Sequence, residues 1–186
     1  TALRAGNNAN RLDYYYEDGA QTDLTWDNNG NLLTQGTSVY TWDAANRLVS
    51  ADVDGVVSTF AYNGLGQRTS QTVGGVTTEY VLDVATGLPE VIVATTGGSS
   101  TYYVQIKGQI LAQYGSGVWA YALPDHLGSV RQLTNAGGQV TLAQSYDPFG
   151  NLFEAAGSGA SGFGYTGELW DAGTELVFLR ARYYVA

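Results

Sequence analysis

Apolar and polar residues alternate along most of the chain in short runs that stop at Gly, Asn or Asp and then resume. Ser58, Phe60 and Tyr62 fall on one face of such a run, as do Tyr40 with Trp42 and Tyr80 with Leu82. Alternation with a period of two puts side chains on opposite faces of a pleated strand. No stretch combines good helix formers, helical apolar spacing and a cap, so no helix is predicted. The segment Glu168–Tyr184 comes nearest, yet it alternates at Leu176, Phe178 and Arg180, and its β-branched and aromatic content favours strand. Residues 155–162, Ala-Ala-Gly-Ser-Gly-Ala-Ser-Gly, are predicted to form a flexible loop. The pattern predicts an all-β fold of serial antiparallel β-hairpins.

The punctuation between runs is itself repetitive. Trp26-Asp27-Asn28-Asn29-Gly30-Asn31-Leu32, Trp42-Asp43-Ala44-Ala45-Asn46-Arg47-Leu48, Tyr62-Asn63-Gly64-Leu65-Gly66-Gln67-Arg68 and Tyr146-Asp147-Pro148-Phe149-Gly150-Asn151-Leu152 share one phrase. It reads aromatic, Asp or Asn, two free positions, Gly or Asn, a polar residue, then usually Leu. A truncated copy, Asn7–Leu12, opens the chain, and Tyr80–Leu88 carries a looser one. The first Asp or Asn can accept from the backbone two residues on, Pro148 suits the start of a type I turn, and Gly or Asn suits a positive φ at its end. Second turn signals lie between copies at Gln35-Gly36, Asp54-Gly55, Gly74-Gly75 and Gly137-Gly138. A strand, a bulged turn and a returning strand follow from this arrangement.

With 44% hydrophobic and 12% aromatic residues in 186, the chain has the material for a core. Eight Lys and Arg stand against 17 Asp and Glu, a net charge of −9, and the single Lys is Lys107. A chain without a basic face is not a nucleic-acid binder. There is no Cys, which removes disulfides, thiol nucleophiles and Cys-based zinc sites together. There is no Met, so the chain is expected to be a piece of a longer product. No apolar run approaches the roughly 20 residues of a membrane helix, and no signal peptide is recognisable. Low Lys with abundant Gly, Thr, Ser, Asn and Tyr suits a secreted or surface bacterial protein.

His126, the sole histidine, has Asp125 and Ser129 beside it, which raises a Ser-His-Asp triad. No nucleophile elbow accompanies it, and a packed, hydrogen-bonded histidine is the expectation. Asp52 with Asp54, or Asp125 with Asp147, are candidate glycosidase pairs, but Asp between Gly-rich strands is chiefly a turn residue. The oxygens of Asp27–Asn31 could hold calcium, yet the EF-hand Glu and the Gly-rich nonapeptide are missing, so turn capping is favoured. No catalytic residue, cofactor or metal is expected. The 4 Trp, 14 Tyr and 5 Phe either stack in strand ladders or lie exposed against sugars or a partner. Arg180 and Arg182 alternate towards one face and are expected to pair with Asp171 or Glu175.

The aromatic-Asp phrase resembles the YD repeat, and the last third resembles the Rhs repeat-associated core segment. Four ordered motifs carry the second likeness: Asp125-His126-Leu127-Gly128-Ser129-Val130-Arg131, Tyr146–Asn151, Gly164-Tyr165-Thr166-Gly167-Glu168, and Leu179-Arg180-Ala181-Arg182-Tyr183-Tyr184. The division expected is 1–117 for YD-type repeats and 118–186 for the core segment. Trp26 and Trp42 stand where the family usually has Tyr, and the Gly-Arg-Phe and Asp-Pro segments tied to self-cleavage and a C-terminal toxin are absent from this sequence. The resemblance implies a β-ribbon winding into part of a hollow shell or solenoid. It also implies a non-catalytic segment of a large secreted or cell-surface protein that encloses or delivers a polypeptide toxin in bacterial competition. Its partners would be the rest of its own chain and an enclosed toxin. An extracellular fibre or adhesin, self-associating through edge strands, with or without glycan binding, is the alternative. The scaffold residues singled out are Trp26, Asp27, Gly30, Trp42, Asp43, Tyr62, Gly66, Tyr146, Asp147, Pro148 and Gly150. The core signature adds Asp125, His126, Gly128, Arg131, Gly167, Arg180, Arg182 and Tyr183.

Overall fold

The structure, a computed structural model, describes residues 2–5, 11–17, 19–85, 87–171, 173–180 and 182–185. The opening copy is therefore seen only at Arg11 and Leu12, and Ala172 and Ala181 lie outside the described residues. Sixteen strands make one antiparallel sheet in which every strand pairs with its neighbours in sequence. They are β1 (Ala2–Ala5), β2 (Leu12–Glu17), β3 (Ala20–Trp26), β4 (Leu32–Gln35), β5 (Ser38–Trp42), β6 (Leu48–Val53), β7 (Val56–Tyr62) and β8 (Arg68–Val73). They continue through β9 (Val76–Asp83), β10 (Glu90–Thr96), β11 (Ser99–Ile106), β12 (Gln109–Gly115), β13 (Val118–Pro124), β14 (Val130–Thr134), β15 (Val140–Tyr146) and β16 (Leu152–Gly157). A 3-10 turn, Tyr165–Gly167, and a second sheet of β17 (Leu169–Asp171), β18 (Leu176–Phe178) and β19 (Tyr183–Val185) follow.

Two kinds of turn recur. One is the two-residue hairpin with positive φ at both central residues, as at Asp54-Gly55 (φ 51° and 79°), Gly74-Gly75 (54° and 85°) and Lys107-Gly108 (53° and 79°). Its backbone twist matches that of the flanking strands. The other is built by the repeated phrase. In each of six copies the Asp or Asn N–H donates to the carbonyl four residues on, at 2.9–3.0 Å, and its carbonyl accepts from the third residue. Its side-chain Oδ1 accepts from the N–H groups of the second and fourth residues at 2.8–3.0 Å. These turns begin at Asp27, Asp43, Asn63, Asp125, Asn135 and Asp147. A single bulged residue follows each one, so that Tyr62 pairs with Arg68 and Ala61 with Ser70, leaving Thr69 between.

The bulge governs which side chains face inward. Three of the strands that return across it bury their first and fourth residues: Leu48 and Ala51 in β6, Arg68 and Gln71 in β8, Val130 and Leu133 in β14. Together with Tyr40, Phe60, Val91, Ile110, Ala122 and Leu142 they form one face of the sheet. The C-terminal segment lies across that face as a strap. Leu176 and Tyr183 join the cluster of Tyr40, Leu48, Ala51 and Phe60, while Phe163 and Leu169 join that of Val91, Ile110, Val130 and Leu133. Backbone bonds tie the strap down, from Gly159 N to the Thr141 carbonyl at 2.8 Å and from Val130 N to the Gly164 carbonyl at 3.0 Å.

Two local expectations are corrected. Residues 155–157, expected in a flexible loop, extend β16, because Ala155, Ala156 and Gly157 find ladder partners in Gln144, Ala143 and Leu142. The expected strand character of Glu168–Tyr184 is broken into three short strands, and Arg180 sits outside them at φ 64°.

Candidate functional site

Where the strap crosses β8, it buries a charge. Arg68 occupies the last position of the phrase, which other copies fill with Leu32, Leu48 and Leu152, and the bulge turns it inward. Its guanidinium meets Asp171 at 3.2 Å, with side-chain exposures of 2% and 0%. It lies 3.8 Å from the Phe178 ring centroid and 5.4 and 5.5 Å from those of Tyr80 and Phe60. The other Asp171 oxygen accepts from Gln71 Nε2 at 2.6 Å and from Gly173 N at 3.2 Å. Burial pushes the Asp171 carboxyl up, and Arg68, Gly173 and Gln71 pull against it. Gly173 permits the close approach: a Cβ there would stand 2.3 Å from Ser58 Oγ. Tyr183 closes the site, its hydroxyl 3.2 Å from that of Tyr62 and 3.4 Å from the Arg68 guanidinium, and burial drives its phenol far above the usual tyrosine range. Packed this tightly, the arrangement is a clamp between strap and sheet.

The repeat aromatics run along the same face. Trp26 Nε1 donates to the Leu12 carbonyl at 2.8 Å, Trp42 Nε1 to that of Leu32 at 2.7 Å, and the Tyr62 hydroxyl to that of Leu48 at 2.7 Å. Each ring thus fastens its copy to the one before. Trp replaces Tyr without loss here because both carry a donor at the far end of the ring. Asp27, Asp43 and Asp147 hold their turns through backbone and side-chain hydrogen bonds that keep their carboxyls below the usual range. Gly30, Gly66, Gly128 and Gly150 stand at the positive-φ end of their turns. A Cβ on Gly150 would sit 2.5 Å from the Tyr165 ring, whose hydroxyl donates to the Pro148 carbonyl at 3.0 Å.

The core motifs meet at the other end of the strap. Asp125 caps its own turn, Ser129 is buried with its Oγ accepting from Thr166 N at 2.9 Å, and Gly128 lies against Gly167. Arg131 pairs loosely with Asp125 at 3.9 Å and lies over the Tyr146 ring. His126 is exposed, which corrects the expected packed role. With Ser129 engaged by the strap and Asp125 by its own turn, the three do not form a triad. The expected pairing of Arg180 and Arg182 is corrected as well. Arg180 meets Glu168 at 3.2 Å, Asp171 belongs to Arg68, and Arg182 is exposed. Sequence reasoning missed Arg68 and Gln71, although an Arg in a Leu position was the available signal. Among the described residues no group of three or more His, Cys, Asp or Glu could hold a metal ion. No described helix is long and apolar enough to cross a membrane.

Comparison with known proteins decides the family. The teneurin YD-shell family matches residues 13–186. The chain belongs to that family. As a YD-shell segment it is similar to the tRNA3(Ser)-specific nuclease WapA of Bacillus spizizenii, 28% identical over 170 residues, covering 87% of this chain and 7% of that protein. The tRNA nuclease WapA of Bacillus subtilis is 27% identical over 168 residues, with the same coverage. The chain thus spans about 7% of the length of these relatives. Two solved structures share the fold. The TcdB2-TccC3 complex has a TM-score of 0.62 at 16% identity, covering 92% of this chain and 12% of that one. The Photorhabdus luminescens Tc holotoxin pore has a TM-score of 0.61 at 15% identity, covering 98% and 11%. The sequence expectation of a Rhs/YD-repeat ribbon is borne out at the level of family and fold.

Proposed function

We propose that this YD-shell segment is a non-catalytic wall piece of a much larger secreted or cell-surface protein, whose hollow shell encloses and delivers a polypeptide toxin in bacterial competition. The observation that carries this reading is the strap clamped over one face of a continuous hairpin sheet by the buried Arg68–Asp171 pair. The sheet is not closed on itself, since β1 and β16 each pair on one side only, and such edges are natural points of continuation into further wall. The relatives named as nucleases support a toxin as the cargo, and in this reading catalysis belongs to parts of the protein other than this wall. The division at residue 117 marks, in this reading, the change from plain repeats to the segment that carries the strap.

Electron microscopy of the full-length native chain, combined with protease challenge, tests the proposal. A closed hollow particle that shields a segment of its own chain until it is denatured is the expected result. Filaments built from end-to-end copies, with every segment open to protease, would overturn it in favour of a fibre.

A further inference from the structure

The face of the sheet opposite the strap carries an aromatic row that the shell reading leaves without a task. Tyr102 on β11, Tyr114 on β12, and Trp119 and Tyr121 on β13 follow one another with ring centroids 6.4, 5.1 and 6.3 Å apart. Trp119 and Tyr121 are within 19° of parallel. Pairing explains the alignment, since Tyr102 opposes Tyr114 and Tyr114 opposes Trp119 in register. Tyr102, Trp119 and Tyr121 remain 51%, 41% and 42% exposed, so the row is open to solvent. Ala112 is buried beneath them, so the row stands on a packed floor.

The charge pattern narrows what such a row can hold. From Val91 to Leu123 the single charged residue is Lys107, in a chain of net charge −9. On the same face the row is flanked by the Thr95 and Ser100 hydroxyls, 2.9 Å apart on β10 and β11, by Thr134 opposite Tyr121 and by the apolar Val93, Val104 and Leu123, and Glu79, opposite Thr95 on β9, is the first carboxylate beyond it. A flat aromatic strip with hydroxyls towards its two ends and no charge within it suits an uncharged ligand with one C–H face and a polyhydroxylated rim. We infer that this face is a platform for an uncharged glycan chain, with Trp119 and Tyr121 stacking on sugar rings and the flanking hydroxyls bonding the rim. The inference is independent of what the shell encloses.

The test uses the full-length chain and three probes: glucose and N-acetylglucosamine hexasaccharides, and polygalacturonate as a polyanion, followed by titration calorimetry. Binding of at least one neutral hexasaccharide but not of the polyanion is expected. Trp119→Ala should weaken it at least tenfold, Trp119→Phe should keep most of it, and Trp170→Ala on the strap should leave it unchanged. The proposal is overturned if neither neutral probe binds or if Trp119→Ala binds like the parent. It is equally overturned if Trp119→Ala abolishes a concentration-dependent dimer instead, since the face would then cover a second copy.

Discussion

Replacing Arg68 with Met keeps much of the side chain's bulk against Phe178, Phe60 and Tyr80 but leaves Asp171 without its cation. Removing one partner of a buried ion pair typically costs about 3–5 kcal/mol, because the surviving charge stays out of water. Asp171, with 0% side-chain exposure, is such a case, and its bonds from Gln71 and Gly173 replace only part of the loss. The expected destabilisation is therefore about 3–5 kcal/mol near neutral pH. It has a definite pH dependence. Burial already raises the folded carboxyl above the ordinary aspartate value of 3.8, so the neutral form is the one that the fold favours. Stability from this group is full below that value and falls as pH rises through the folded pKa. Without Arg68 the fall is larger, so the gap between Arg68→Met and wild type widens as pH rises from about 4 to 7. Pairing the change with Asp171→Asn removes the stranded charge, and the double variant should lose about 1–3 kcal/mol less than the sum of the singles. Urea unfolding at several pH values, with hydrogen exchange of β8 and β17 to localise the loss, measures all of this. Additivity within about 0.5 kcal/mol, or a gap that narrows with rising pH, would refute the clamp.

Gly150→Ala forces a side chain into φ 103° and into the Tyr165 ring, and should cost about 1–3 kcal/mol by thermal unfolding, with Tyr165 becoming more accessible to quenchers. In the turn at Asp147, an Asn keeps the Oδ1 acceptor and an Ala does not, so exchange of the Asn151 amide should rise much more in Asp147→Ala than in Asp147→Asn. Burial pushes the Tyr103 and Tyr146 phenols up to about 12. An unfolded phenol titrates near 10, so their contribution to stability is full below about pH 10 and is lost as pH rises towards about 12. An ultraviolet titration should accordingly show a late tyrosinate phase that merges with unfolding, and a single phase near 10 would contradict the burial.

The turns were readable because their chemistry is local. An Asp or Asn that can accept from two later N–H groups, followed by a residue tolerant of positive φ, specifies the reversal whatever surrounds it. Two copies, at Asp125–Ser129 and Asn135–Gln139, escaped notice as members of the repeat because Pro124 and Thr134 stand where the aromatic should be. Gly137-Gly138, taken for a hairpin turn of the other kind, belongs to the second of them. The strap was not readable. Its short strands exist because the sheet face exists, and Arg180 finds Glu168 only once the chain has turned through a left-handed residue. Ala155–Gly157 illustrate the same limit from the other side. Their composition suits a loop, yet ladder bonds to β15 outweigh a weak local preference. His126 stood out as the sole histidine, but rarity in a sequence says nothing about burial.

The middle of the chain, between Leu88 and Trp119, lacks the aromatic-Asp phrase and yet continues the same sheet. A substitution of function explains how. The Tyr62 hydroxyl reaches a backbone carbonyl 14 residues back, on Leu48, and Trp26 reaches one 14 residues back, on Leu12. Gln105 Nε2 makes the same step to Val91 at 2.6 Å, and Gln144 Nε2 to Val130 at 2.8 Å. An amide on a flexible stem delivers the same donor to the same carbonyl row as an indole or a phenol, so the fastening of each hairpin to the preceding one survives the loss of the ring. What the glutamine does not deliver is apolar area. That face around Gln105 is covered instead by the strap, through Phe163 edge-on to Tyr103 at 4.9 Å and Leu169 against the same cluster. The region where the repeat is weakest is thus one that the strap covers, which makes the C-terminal segment part of the sheet's own stability as well as its lining. Truncation at about residue 158 should therefore raise hydrogen exchange in β10–β14 well above that in β2 and β3, and uniform loosening along the whole ribbon would argue against this division of labour.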